Sequence, residues 1–285
     1  GECSAEVTTP TATDNCEGTI TGTTTDPTSY TEQGEYTITW TYDDGNGNKS
    51  QQTQTVIVKD ETAPVPTLET LPAITGECSA EVSAPSASDN CEGTLTGTTE
   101  DPTSYSEQGE YTITWTYDDG NGNSSEQTQT VIVKDETAPV PTIATLPTIT
   151  GECSAEVTAP TATDNCEGTI TGTTTDPTSY SEQGAYTITW TFDDGNGNTS
   201  EQTQTVIVKD ETAPVPTLET LPTITGECSA EVTAPTANDN CEGTITGTTT
   251  DPTSYTEQGE YTITWTFDDG NGNTSEQTQM VIVKD

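Results

Sequence analysis

Between Glu35 and Tyr42 every second residue is apolar: Tyr36, Ile38, Trp40 and Tyr42 alternate with Thr37, Thr39 and Thr41. A period of two puts the aromatic set on one face and the threonines on the other, which predicts a strand with one buried face and fits no helical spacing. Asp44-Gly-Asn-Gly-Asn48 follows, and its Asn46-Gly47 pair suits the positive φ angles of a tight reversal. A second β-rich run, Thr53 to Val58, comes next. The segment is therefore predicted to be a hairpin.

The whole pattern returns three times. Trp40, Trp115, Trp190 and Trp265 lie 75 residues apart, as do Cys3, Cys78, Cys153 and Cys228, with no insertion or deletion. The 285 residues thus hold four copies of a 60-residue block, Gly-Glu-Cys to Val-Lys-Asp, joined by three 15-residue segments at 61–75, 136–150 and 211–225. Solenoid units span roughly 20–50 residues, so this period suits a string of small domains, each with its own core. The linking segment holds Pro64, Pro66 and Pro72, which an edge strand tolerates and the middle of a sheet excludes. With Val65, Leu68, Leu71 and Ile74 it is apolar enough to pack. It is expected to be the first, edge strand of the following domain, giving domains 61–135, 136–210 and 211–285, with 1–60 as a repeat lacking its first strand. The fold class expected is all-β, a tandem array of small sandwich domains forming an extended rod.

Hydrophobic residues make up only 27% of the chain and the formal charge is −43, values that ordinarily suggest disorder. Disordered segments rarely keep a Trp, alternating aromatics and two cysteines in fixed register, and a thin one-sided sheet needs few apolar residues. The core is nevertheless small: the second copy offers Leu68, Leu71, Ile74, Val82, Leu95, Tyr105, Tyr111, Ile113, Trp115, Tyr117, Val131, Ile132 and Val133. Domains of this size often need a staple. The cysteine pairs Cys3/Cys16, Cys78/Cys91, Cys153/Cys166 and Cys228/Cys241 are expected to close local disulfides, each stabilising by roughly 3 kcal/mol in the chain-entropy model and drawing Glu2 towards Asp14 in the first copy. The compartment would be oxidising. Zinc is disfavoured, since the chain has no His and its cysteines are not clustered. No transmembrane run is present, and residue 1 falls inside a repeat unit, so the chain is expected to be a piece of a longer protein whose targeting signals lie elsewhere.

Gly-Glu-Cys-Ser-Ala-Glu-Val, Pro-Thr-Ala-Thr-Asp-Asn-Cys, Tyr-Thr-Ile-Thr-Trp-Thr-Tyr-Asp-Asp-Gly-Asn-Gly-Asn and the closing Val-Ile-Val-Lys-Asp resemble the hyalin repeat in every copy. The resemblance implies an immunoglobulin-like β-sandwich and an extracellular, cell-surface location. The near-identical copies with Thr-Ala-Pro-Val-Pro joints are most similar to hyalin-like arrays in large secreted surface proteins of Bacteroidota, gliding-motility adhesins among them. Hyalin repeats often carry a second cysteine pair. Here those places hold residues such as Leu71-Pro72 and Gln127, so only one disulfide per copy carries over.

Catalysis is disfavoured. Without His or Arg a nucleophile lacks its usual base, and paired carboxylates need a concave pocket that small sandwiches rarely supply. A charge of −43 repels nucleic acid and anionic lipid, and nothing in the sequence inserts into a membrane. The lysines closing each block, Lys59, Lys134, Lys209 and Lys284, are read as solvated partners of the adjacent Asp rather than as isopeptide donors.

Asp44-x-Asn46-x-Asn48 matches the first half of a calcium loop, in which alternate oxygens point inward, but the closing Glu is missing. Asp119, Asn121 and Asn123, Asp194, Asn196 and Asn198, and Asp269, Asn271 and Asn273 repeat it. A turn alone and a turn that also holds calcium both remain open. The joints supply a second set of candidate calcium ligands: Asp60 and Glu61, Asp135 and Glu136, Asp210 and Glu211. The function expected is a non-catalytic stalk or spacer of a surface adhesin, its partners the neighbouring repeats of the same chain, stiffened by calcium as its cofactor. The alternative is that the repeats bind a glycan, ice or another copy of the chain through exposed Thr rows and Tyr30, Tyr105, Tyr180 and Tyr255.

Overall fold

The alternation in the second copy becomes a ten-residue strand, Gly109–Asp118, paired antiparallel with Ser124–Val133 from Gly109↔Val133 to Asp118↔Ser124. The computed structural model describes residues 1–285, all of them in strands or their connections. The chain divides into two compact units, Gly1–Glu136 and Thr137–Asp285, each containing two copies of the repeat.

Within residues 61–135 the strands build two facing sheets. Ser86–Asp89 pairs with Gly93–Thr96 on one side and with Val65–Pro66 on the other. The Trp hairpin takes Ile74–Gly76 as a parallel third strand beside Val131–Val133, and Thr98↔Thr116 bridges it to the first sheet. The linking segment therefore contributes to both sheets. A short ribbon, Ala80–Glu81 with Ser104–Tyr105, closes one side. Between the layers lie Ile113, Trp115, Tyr117, Val131 and Val133, packed on Ala80, Ala87 and Tyr105, with Leu71, Ile74, Val82 and Tyr111 around them. The fold is an all-β array of small sandwiches in tandem.

Leu68, Leu95 and Ile132, expected in the core, are outside it, as is Val65, which was expected to pack. Val65 and Leu68 are 63% and 52% exposed, because the prolines leave the segment so few N–H groups that it pairs only briefly and runs over the surface. What holds it is a polar row on the neighbouring strand. Ser125, Gln127 and Gln129, two residues apart and hence on one face, donate to the carbonyls of Pro64 (2.6 Å), Leu68 (2.7 Å) and Pro72 (3.0 Å). In the first copy the corresponding Gln52 and Gln54 are exposed.

The hairpin loop also differs from the two-residue reversal expected. Residues 119–123 form a five-residue loop closed by Asp119 N–H donating to Asn123 O at 3.2 Å. Gly120 and Gly122, not the asparagines, take the positive φ values of 78° and 105°.

Candidate functional site

The ten-residue strands separate two poles of each copy by roughly 30 Å. In the first copy the pole where the last strand ends holds Cys3 and Asp60, since Lys59 N–H donates to Gly1 O. The opposite pole of the second copy holds Cys91 and the 119–123 loop, where Asn121 reaches Glu92. The two poles meet, and the chemistry of this chain is concentrated there.

Cys3 is bonded to Cys91, and Cys153 to Cys241, each across 88 residues and with Cα atoms 5.0 Å apart. The locally closed disulfides expected from spacing are therefore wrong. Cys3 and Cys16 sit at opposite poles of one sandwich, and Glu2 lies beside Asn90 of the next copy rather than beside Asp14. Cys78 and Cys166 are also disulfide-bonded. Cys16 and Cys228 are exposed thiols, not half-cystines.

Around the disulfide the joint is hydrogen-bonded. The Glu2 carboxylate accepts from Asn90 Nδ2 (2.8 Å) and Thr62 Oγ1 (3.1 Å). Gln33 bridges locally, donating to Glu2 O at 2.9 Å and accepting from Asp60 N–H at 2.7 Å. Asn123 Nδ2 donates to Asp60 O at 3.3 Å. The second unit repeats this: Glu152 accepts from Asn240 (2.7 Å) and Thr212 (2.9 Å), Gln183 spans Glu152 O and Asp210 N–H, and Asn273 reaches Asp210 O at 3.1 Å.

The joint carboxylates divide into two kinds. Glu61, Glu136 and Glu211 turn outward to Lys59, Lys134 and Lys209, and the hydrogen bond from the lysine holds each below the usual carboxylate range. These lysines thus pair with the glutamate two residues on and not with the adjacent Asp. Asp60, Asp135 and Asp210 are each only 3% exposed. Asp60 faces Asp89, and Asp210 faces Asp239.

In the hairpin loops the carboxylate closes its own turn. Asp44 Oδ1 accepts from the N–H groups of Asn46 (2.8 Å) and Asn48 (3.0 Å), and Oδ2 from Asn48 Nδ2 (2.6 Å). Asp119, Asp194 and Asp269 do the same with Asn121 and Asn123, Asn196 and Asn198, and Asn271 and Asn273. The Asn48 side-chain hydrogen bond, with those from the loop backbone, holds the Asp44 carboxyl below its ordinary value.

The tyrosines expected to face a ligand are instead packed. Tyr105 and Tyr180 are buried at 9% exposure, and all four stack on a second ring, Tyr30 on Tyr36, Tyr105 on Tyr111, Tyr180 on Tyr186 and Tyr255 on Tyr261, at 4.2–4.4 Å. Each of these rings stacks on a Tyr of the Trp strand, and Tyr30, Tyr105 and Tyr180 each line a surface recess there. Burial raises the hydroxyl pKa of Tyr105 and Tyr180.

A family described as the HYR-like domain with four cysteines matches residues 2–58, 66–133, 141–208 and 216–283. The chain belongs to this family. Hyalin of Strongylocentrotus purpuratus is 32% identical over 310 residues, a match covering 96% of this chain and 25% of that protein. Hyalin of Lytechinus variegatus is 32% identical over 302 residues, covering 96% and 57%. The HYR-like chain thus spans between a quarter and a little over half of these relatives. Among solved structures, the protocadherin GammaB4 extracellular domain aligns with 98% of this chain and 61% of its own length, at 15% identity and a TM-score of 0.35.

Each HYR-like copy here has two cysteines, and the residues that make its joint were only partly visible beforehand. Asp89, Asn90 and Gln33 belong to the recurring Asp-Asn-Cys and Glu-Gln-Gly signatures, the one signal of them in the sequence. Asp60 and Glu61, taken together in the sequence, point apart: Glu61 pairs with Lys59 while Asp60 faces Asp89.

Proposed function

We propose that this array is a non-catalytic extracellular stalk or spacer of a cell-surface adhesin, of the type displayed by the large secreted surface proteins of Bacteroidota, including gliding-motility adhesins. The observation that carries the reading is the disulfide at the joint. A bond between Cys3 and Cys91 does nothing for a pocket, but it prevents two consecutive copies from separating under load. Hyalin-like relatives and an oxidising compartment agree with an extracellular setting. No helix of the chain is long and apolar enough to cross a membrane.

The carboxylates also favour a structural role. Asp101 lies in the recess beside Tyr105, and its Oδ2 accepts from Thr114 N–H at 2.8 Å. It fastens a strand. A calcium ion as the stiffening cofactor of the joints belongs to the same reading.

The isolated fragment, oxidised and in calcium, should bind neither a glycan array nor intact cells nor itself. Shortening the array by two copies in the full-length protein should leave its binding partner unchanged and reduce only the distance at which it is engaged. Saturable binding by the fragment would overturn the stalk and support ligand recognition by the repeats.

A further inference from the structure

We propose that Asp60 with Asp89, and Asp210 with Asp239, each form a divalent-cation site, selective for calcium, whose two carboxylates come from consecutive copies. Asp60 Oδ2 and Asp89 Oδ2 are buried and have no hydrogen-bond partner, and the ligand atoms of Asp60, Asp89 and Cys91 lie within 4.8 Å of one another. Asp60 is 3% exposed and Asp89 9%. Two like charges out of water at that separation repel strongly unless a cation stands between them. No side-chain cation is available: Lys59 and Lys134 are engaged with Glu61 and Glu136 at the surface.

The other oxygen of each carboxylate fixes its aim. Asp60 Oδ1 accepts from Thr62 N–H at 3.1 Å, and Asp89 Oδ1 from the N–H groups of Cys91 (2.7 Å) and Glu92 (3.0 Å). The free oxygens are thereby pointed at each other rather than at solvent. The second unit is built alike. Asp210 Oδ1 accepts from Thr212 N–H at 3.0 Å and Asp239 Oδ1 from Cys241 N–H at 2.8 Å, while both Oδ2 atoms are buried and unpartnered.

The donors select the ion. Cys91 and Cys241 are half-cystines and offer no thiolate, so the set consists of hard oxygens, which suit calcium and not zinc. Calcium also tolerates an irregular shell completed by backbone oxygens and water, which magnesium does not. The site lies against the disulfide, and the Cys91 N–H that aims Asp89 belongs to the bridging cysteine. Cation and disulfide therefore lock the same joint, and each favours the other. The mechanical role rests on the stalk reading, whereas the site itself does not.

The test is calorimetric titration of the oxidised 285-residue chain, stripped of metal, with calcium at constant high ionic strength. Thermal melts in calcium and in chelator accompany it. Asp60→Asn and Asp210→Asn, each with Asp89→Asn or Asp239→Asn as the second variant of its site, should weaken calcium binding at that site at least tenfold. Glu110→Gln, an exposed charge on the Trp strand, should leave it unchanged. The decisive readout is a crossing. In chelator Asp60→Asn should melt higher than the parent, because one of two opposed charges is gone; in calcium it should melt lower. Absence of saturable calcium binding, preference for zinc, or an Asp60→Asn variant that is destabilised equally in both buffers would overturn the proposal. These outcomes would remove calcium from the joints but leave the stalk itself standing, which is tested separately by ligand binding of the fragment.

Discussion

Gln129 shows how much one polar side chain carries in a thin sandwich. Its Oε1 accepts from Trp115 Nε1 at 3.1 Å and its Nε2 donates to Pro72 O at 3.0 Å, so one amide satisfies the only polar atom of the largest core side chain and fastens the linking segment. Gln129→Ala would orphan both groups in a site that is 6% exposed. A buried donor or acceptor left without a partner costs about 1–3 kcal/mol, and the variant should lose about that much stability in thermal or urea unfolding. The homologous Gln54→Ala should lose distinctly less, since Gln54 is exposed and water replaces it. Equal losses at the two positions would mean that clamping of the linking segment contributes nothing.

At the scale of elements the hairpin was legible because its information is local. Period two in Tyr111, Ile113, Trp115 and Tyr117 sets the buried face, and the glycines of the Asp-Gly-Asn-Gly-Asn run mark the reversal. The joint was not legible, for two reasons. Twelve residues between Cys3 and Cys16 look like a local loop, yet the intervening strands put them at opposite poles. Repetition also hides the true partner, because every copy offers the same Asp-Asn-Cys and nothing in one period distinguishes Cys16 from Cys91. The turn had two readings from sequence, and its geometry shows what the Asp does there. Burial pushes the Asp119 carboxyl up, but the Asn123 side chain and the backbone N–H groups of Asn121 and Asn123 outweigh it, so the net displacement is downward. A carboxyl depressed in the folded state contributes stability above its unfolded value, about 3.9, and loses it as pH falls through the folded value. The parent and Asp119→Asn should therefore differ in melting temperature from neutrality down to about pH 4 and converge below it. A constant gap down to pH 2 would show that ionisation of Asp119 has no part in closing the turn.

For the molecule as a whole the disulfide redirects tension. When the first unit is pulled between Gly1 and Glu136, the covalent path leaves the backbone at Cys3 and rejoins it at Cys91, so the chain between them bears no load even if the sandwich opens. In the chain-entropy model a closed loop of this length stabilises the fold by roughly 4–5 kcal/mol, more than the short loop expected from the spacing of Cys3 and Cys16 would supply. Reduction should both lower the melting temperature and lengthen the fully extended unit. The added contour is the sequence separation of 88 across the bond, which at about 3.3–3.6 Å per residue is roughly 300 Å. Single-molecule extension between handles at residues 1 and 136, with and without reductant, reads this directly. Cys3→Ser should show the long contour in either buffer. A parent that reaches the same contour before and after reduction would place the bond elsewhere and remove the support that the disulfide gives to a load-bearing stalk.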